Sequence, residues 1–147
     1  MEIELKKAKK SDIPFLMSLR KVTMNDYLEK SGFPTDEKSY LDRIHYCFDA
    51  AHIVFFVDEP IGLFKFYLDT PCWHVVQIQI LPEYQGKGIG TKLLKNLQSQ
   101  AFKKDQFVRL SVLKPNPAKI LYQRLGFIVQ AESEIDFTMQ YKPNKTN

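Results

Sequence analysis

The sequence predicts an α+β fold in which helices pack on a mixed sheet, and three observations lead there. Short segments rich in β-branched and aromatic residues alternate with segments whose apolar residues recur three and four apart. Turn-forming clusters around Gly32, Pro60, Pro71, Gly88 and Gly126 separate these segments. A chain of 147 residues with 44% hydrophobic content is long enough for one domain with one core, and short for two.

Glu2 to Lys7 alternates charged and apolar residues and reads as a first strand. Ser11 is the expected N-cap of a helix, with Asp12 in its first turn and Phe15, Leu16, Leu19 and Val22 at helical spacing. This helix continues to about Lys30, where Gly32 and Pro34 break it. A second helix starts near Thr35 with an apolar stripe of Tyr40, Leu41, Ile44 and Phe48. His52 to Val57 is a strand, Asp58-Glu59-Pro60 a turn, and Ile61 to Leu68 the returning arm. Asp69-Thr70-Pro71 turns again into a strand from about Trp73 to Leu81. Pro82 to Gly90 is a glycine-bearing loop, and the helix after it carries Leu93, Leu94, Leu97 and Ala101 on one face. Phe107 to Leu113 is a strand and Pro115 to Leu125 a short helix stopped by Gly126. Phe127 to Ala131 and Ile135 to Tyr141 close the series, and the polar tail from Lys142 is expected to fray. The expected order is β-α-α-β-β-β-α-β-α-β-β, with no internal repeat and no interdomain linker.

Composition narrows the functional classes. The 13% aromatic content argues against a disordered chain. Lys+Arg 21 against Asp+Glu 17 leaves a net charge of +4, which suits an anionic small ligand such as a nucleotide cofactor. The same excess could serve weak nucleic-acid contact, but the basic residues are scattered and form no known binding motif. No apolar run reaches bilayer length, and the N-terminus lacks a signal-peptide apolar core, so a cytoplasmic protein without membrane association is expected. Cys47 and Cys72 form no CxxC pair and have no histidine cluster nearby. They read as buried structural thiols, and no metal site is expected.

The segment from Leu81 to Gly90 carries the clearest chemistry. Three glycines, Gly86, Gly88 and Gly90, fall between the end of a strand and the start of a helix. Glycine lets the backbone turn tightly and brings its N–H groups against a ligand with no Cβ in the way. The helix start adds unpaired donors and a partial positive charge, which together make an anion site sized for phosphates. The spacing does not fit the dinucleotide fingerprint GxGxxG, and the Gly-Lys-Ser/Thr of nucleoside-triphosphate loops is absent. An ordinary turn rarely needs three of a chain's six glycines within five residues.

Leu81-Pro82-Glu83-Tyr84-Gln85-Gly86-Lys87-Gly88-Ile89-Gly90 resembles the acetyl-CoA signature of the GNAT superfamily of N-acetyltransferases, whose Gln/Arg-x-x-Gly-x-Gly/Ala core is matched by Gln85, Gly88 and Gly90. The resemblance implies a central mixed, mostly antiparallel sheet with helices on both faces. It also implies acetyl-CoA as cosubstrate, with the amides of Gln85, Gly86, Lys87, Gly88, Ile89, Gly90 and Thr91 around the pyrophosphate. Ile80 and Leu81 would give main-chain contacts to the acetyl and pantetheine groups. Leu110 to Phe127 is similar to the family's C-terminal half. By that likeness Asn116 contacts the pantetheine arm or orders water, and Tyr122 lies near the CoA sulfur as a general acid for the leaving thiolate. Read without the likeness, Asn116 is a helix cap and Tyr122 a core aromatic. Asn116 stands six positions before Tyr122, a shorter Asn-Pro-Ala arrangement than many members have. The two motifs together span roughly Trp73 to Phe127.

Gln77 stands where relatives often carry a glutamate base. Along that strand Val75, Gln77, Gln79 and Leu81 share one face, with His74, Val76, Ile78 and Ile80 on the other. His74, Asp26 and Glu29 are alternative bases, and Tyr27, Phe33 and Tyr40 are expected in the acceptor wall. The acceptor is an amine of a small molecule or peptide that the sequence does not name. The alternative function is a CoA-binding or sensing module without turnover, and a homodimer through the C-terminal strands is a further expectation.

Overall fold

The computed structural model describes residues 2–143. Its principal elements are β1 (Ile3–Lys7), α1 (Ile13–Lys30), α2 (Glu37–His45), β2 (Ala51–Phe56), β3 (Glu59–Asp69), β4 (Cys72–Ile80), α3 (Ile89–Lys103), β5 (Phe107–Leu113), α4 (Ala118–Arg124), β6 (Ile128–Glu132) and β7 (Asp136–Tyr141). The strands form a seven-stranded sheet in the order β1-β2-β3-β4-β5-β7-β6. β4 and β5 are parallel, whereas β1–β2, β2–β3, β5–β7 and β6–β7 are antiparallel. The fold is therefore α+β on a mixed, mostly antiparallel sheet, in the predicted element order. By contacts the chain divides into two compact units, Met1–Lys65 with Gln77–Gly90, and Phe66–Val76 with Thr91–Asn147.

In the first unit, α1 and α2 bury Leu16, Leu19, Tyr40 and Ile44, while the strands bury Ile53, Val54, Ile61 and Phe64. Each such side chain contributes about 1.5–3 kcal/mol when removed from water. Ser11 does not cap α1. It lies within a short 3₁₀ turn, Lys10–Asp12, and the Asp12 carboxylate accepts the Lys9 N–H at 2.8 Å. The 3₁₀ turn runs straight into α1, so Asp12 and not Ser11 stands at the N-cap position of the helix. Val22 is 59% exposed and so lies off the buried stripe of α1, which runs on to Leu28. α2 starts after Asp36, whose carboxylate accepts from the Ser39 N–H at 3.2 Å and the Ser39 hydroxyl at 2.6 Å.

The β2–β3 turn is not at Asp58-Glu59-Pro60 but at Val57-Asp58, both with positive φ (47° and 66°). Left-handed central residues match a tight hairpin to the strand twist. Pro60 then falls inside β3 opposite Phe55, beside a register shift at Val54/Phe55, where a missing N–H is tolerated.

In the second unit, α3 buries Leu93, Leu94, Leu97 and Ala101 as predicted, and β5 and β7 contribute Val108, Leu110, Val112 and Met139. The Trp73 indole donates to Gln106 Oε1 at 2.9 Å, and the Gln98 amide donates to the Leu125 carbonyl at 2.7 Å. The second bond ties α3 to the end of α4. α4 is shorter than Pro115 to Leu125 because Pro117 and the Asn116 turn occupy its start. Pro143 is buried, so the chain is still anchored one residue past Lys142, and the rest of the predicted tail lies outside the described residues.

Candidate active site

The loop between β4 and α3 belongs to the first unit up to Gly90. A 3₁₀ turn at Pro82–Tyr84 opens it, with Tyr84 N–H donating to the Leu81 carbonyl at 2.9 Å and Gln85 N–H to the Pro82 carbonyl at 3.2 Å. The Gln85 side-chain amide then donates to the Ile80 carbonyl at 2.8 Å, pinning the loop to the strand end. Gly86 and Gly88 hold φ of 77° and 79°, the left-handed region that L side chains enter at a cost of about 1–2 kcal/mol. A Cβ built at either position meets nothing within 4 Å. Both glycines thus satisfy backbone conformation rather than internal crowding, and their outer faces are open. Among the described residues the N–H groups of Gly86, Lys87 and Gly88 make no backbone hydrogen bond. Those of Ile89, Gly90 and Thr91 are the unpaired donors of the first turn of α3. Gly86, Lys87 and Gly88 thus combine open glycine faces with N–H groups free of backbone bonds, and the exposed Lys87 adds a full positive charge, the features of a backbone anion site.

Two of the expected residues have donors engaged within the chain. Gln85 commits both its N–H and its side-chain amide to bonds within the chain, so the free donors begin at Gly86. Leu81 donates its N–H to the Ile61 carbonyl at 2.8 Å and offers its carbonyl to Tyr84, so it has no free main-chain donor for a ligand. β3 supplies that carbonyl because it approaches β4 very closely. At Gly62 a Cβ would overlap the Gln79 carbonyl oxygen and come within 2.8 Å of the Ile80 side chain.

On β4, Val75 and Gln79 are buried and Gln77 is half-buried, consistent with a shared face. The β4–β5 register runs from Cys72↔Phe107 to Val75↔Leu110, although β4 continues to Ile80. His74 stacks on Tyr67 with ring centroids 5.0 Å apart at 20°, the packing expected of a structural histidine. Asp26 is exposed, and Glu29 accepts from the Asn25 amide at 3.1 Å. Phe33 is 41% exposed, whereas Tyr40 is buried and donates its hydroxyl to Asn25 Oδ1 at 2.6 Å. Cys72 is buried with its thiol pushed up by burial, while Cys47 is half-buried in a left-handed turn at φ 53°.

Within the second unit, Tyr122 is 7% exposed and packs edge-on against Phe127 at 6.0 Å. Burial pushes its hydroxyl up to about 12, so it stays protonated at neutral pH and keeps its O–H available as a donor. Asn116 accepts the Ala118 N–H on Oδ1 at 3.0 Å, the local turn that its capping role describes, which leaves its Nδ2 for other contacts.

A cationic cluster in the first unit went unread in the sequence. Lys65 is 1% exposed and donates to three carbonyls at the end of α2, those of Arg43 (3.1 Å), Ile44 (3.2 Å) and Tyr46 (2.7 Å). Burial first, and then Arg43, push it down to about 8. Arg20 is buried on α1 with its guanidinium 5.1 Å from the Tyr40 ring centroid. The available signals were a charge beside Leu16 and Leu19 on one helical face, and a lysine inside the apolar run of β3. Among the described residues no group of three or more His, Cys, Asp or Glu could hold a metal ion.

The mixed, mostly antiparallel sheet and the glycine-bearing loop between β4 and α3 are features of one class of acyltransferase. The chain belongs to the acetyltransferase (GNAT) family, whose model matches residues 16–127. It is 40% identical over 67 residues to the [ribosomal protein bS18]-alanine N-acetyltransferase of Haemophilus influenzae, a match covering 45% of this chain and 42% of that one. The match thus spans less than half the length of that relative. Among solved structures, the PaiA N-acetyltransferase of Thermoplasma acidophilum in complex with coenzyme A shares the fold with a TM-score of 0.73 at 21% identity, over 97% of this chain and 99% of that one. The ribosomal-protein-S18-alanine N-acetyltransferase of Escherichia coli does so with a TM-score of 0.69 at 18% identity, over 99% and 97%.

Proposed function

We propose that the chain is one N-acetyltransferase domain that transfers an acetyl group from acetyl-CoA to an amine by direct attack in a ternary complex. The observation that carries this reading is the run of unpaired N–H groups from Gly86 to Thr91 within a GNAT family member. Those donors hold the pyrophosphate, and Ile80 contributes the main-chain contact to the acyl arm. The amine nitrogen attacks the thioester carbonyl, the C–N bond forms, and the C–S bond breaks. The departing thiolate takes the Tyr122 proton, and water returns a proton to the phenolate; burial keeps the phenol protonated before the step but also makes it a weaker acid than a typical catalytic one. The proton lost by the amine leaves through water ordered by Gln77 and Gln79, and Asn116 steadies the pantetheine arm through Nδ2.

A protein or peptide amine is supported by the alanine N-acetyltransferase relative, and a small-molecule amine is the other acceptor class. Among the described residues no helix is long and apolar enough to cross a membrane, which supports a cytoplasmic setting. β6 ends the strand order and exposes Ile128, which supports pairing between two copies at that edge. The test is thiol release from acetyl-CoA with a broad amine panel. Acceptor-dependent release is expected. Tight acetyl-CoA binding without release on any amine would instead make the chain a CoA-sensing module.

A further inference from the structure

Two of the contacts that fix the loop after β4 come from the β2–β3 hairpin. Val54 faces Gly62 and Phe55 faces Pro60, so the register skips Ile61. A residue left out of the ladder in this way bends its strand and re-aims its groups, a device common beside active sites. The skipped Ile61 is fully buried, and its carbonyl accepts the Leu81 N–H at 2.8 Å. The second contact is aromatic. Phe56 closes β2, facing Ile3 on β1 and Glu59 on β3, and its ring meets the Tyr84 ring edge-on at 5.9 Å and 79°. Tyr84 ends the 3₁₀ turn that opens the loop. Pro82 and Glu83, the other residues of that turn, are exposed, whereas Tyr84 is half-buried, so the turn rests on its ring. Gly86 follows after Gln85 alone.

The hairpin turn leaves Phe56 little slack. Val57 and Asp58 alone connect the two strands, both left-handed, and Val57 is 66% exposed. A β-branched residue in that region costs backbone energy, and here burial of its side chain returns little. The tight turn instead holds the strand end, and the Phe56 ring with it, in one place. The Leu81 N–H and the Gln85 side chain tie down the two ends of the 3₁₀ turn, and the Phe56–Tyr84 contact sets its tilt between them. We propose that Phe56 is a positioning residue for the cosubstrate. Through Tyr84 it sets the direction in which the glycine-bearing loop leaves β4, and hence the affinity for acetyl-CoA. This inference rests on the acetyltransferase reading.

Calorimetry with acetyl-CoA on Phe56→Ala, Tyr84→Ala, the double variant and Phe56→Tyr tests it, with melts alongside. Loss of the edge-on contact should weaken acetyl-CoA binding about 3- to 10-fold in each single alanine variant. The double variant should be no weaker than either single, because both substitutions abolish the same contact. Phe56→Tyr keeps the ring and should keep wild-type affinity. Phe55→Ala is the control. Its ring lies 4.8 Å from the Lys6 ammonium, and its loss should lower the melting temperature without changing the affinity. With an amine from the acceptor panel, the alanine variants should raise KM for acetyl-CoA and leave kcat within about twofold of wild type. If Phe56→Ala does not fold, Phe56→Leu, which keeps bulk and removes the ring, takes its place beside Tyr84→Ala. Wild-type affinity in the folded Phe56 variant, additive losses in the double variant, or an equal loss in Phe55→Ala overturns the proposal. Failure of wild type to bind acetyl-CoA overturns the acetyltransferase reading instead.

Discussion

Replacing Gly88 separates what the fold needs at the cradle from what the ligand needs. Its φ of 79° makes any L residue unfavourable by about 1–2 kcal/mol, yet an added Cβ meets nothing within 4 Å. Gly88→Ala should therefore fold and melt about 2–8 °C lower, at about 2–4 °C per kcal/mol for a chain of this size. On the proposed binding mode the same methyl would occupy space that the pyrophosphate needs against the loop. Losing two charge-assisted bonds to the pyrophosphate would weaken acetyl-CoA binding by about 3–6 kcal/mol, at least a hundredfold. Gly32 provides an internal control, since it has φ of 80°, nothing within 4 Å of an added Cβ, and no place in the loop. Gly32→Ala should lose similar stability and keep its affinity. Calorimetry with acetyl-CoA and parallel melts on Gly88→Ala, Gly88→Val and Gly32→Ala would decide it. If folded Gly88 variants bind as tightly as the Gly32 variant, the cradle is not where the cosubstrate sits.

Tyr122→Phe keeps the ring against Phe127 and removes only the proton donor. A loss of about a hundredfold in kcat is expected in a thiol-release assay, and wild-type kcat with chemistry rate-limiting would make Tyr122 a packing residue. For Lys65, the folded state gives up its proton first, so between about pH 8 and 10.5 the unfolded chain binds more protons and stability rises with pH. The drop from 10.5 to about 8 corresponds to about 3 kcal/mol, most of it developed by pH 10. Denaturation of wild type and Lys65→Met from pH 7 to 10 should show the rise only in wild type, and parallel curves would contradict the assignment. If water carries the amine proton, kcat/KM climbs well above pH 7, Gln77→Glu moves that limb to lower pH, and His74→Ala leaves it in place. A neutral limb that vanishes in His74→Ala would transfer the role to His74.

The parts of this molecule that local chemistry decides were readable in the sequence. Phe107–Leu113 has the predicted bounds because a run of β-branched and apolar residues lies between a turn and a proline, and the three glycines marked the loop between β4 and α3. What depended on distant partners was not readable. The Val57-Asp58 turn was hidden because Pro60 is a strong turn signal, and only pairing with Phe55 places it inside a strand. The commitment of the Leu81 N–H depends on Ile61, twenty residues earlier in a neighbouring strand, and no local pattern carries that information. Nothing local to Arg20 or Lys65 marks them as buried charges. Their burial follows from how α1, α2 and β3 pack, which periodicity hints at but does not fix.

The close approach at Gly62 has an evolutionary and practical consequence. Its hydrogen atom stands where any larger group would push on the Gln79 carbonyl and on Ile80, the strand end from which the cradle departs. Position 62 is thus coupled to donor binding without touching the donor. In a saturation scan it should tolerate nothing, behaving like a residue of the reaction centre although its φ demands no glycine. Attempts to reshape the acyl pocket by substitutions on β4 will meet the same limit. Substitutions at Gln77, which is half-buried and not among the contacts of Gly62, leave that approach undisturbed.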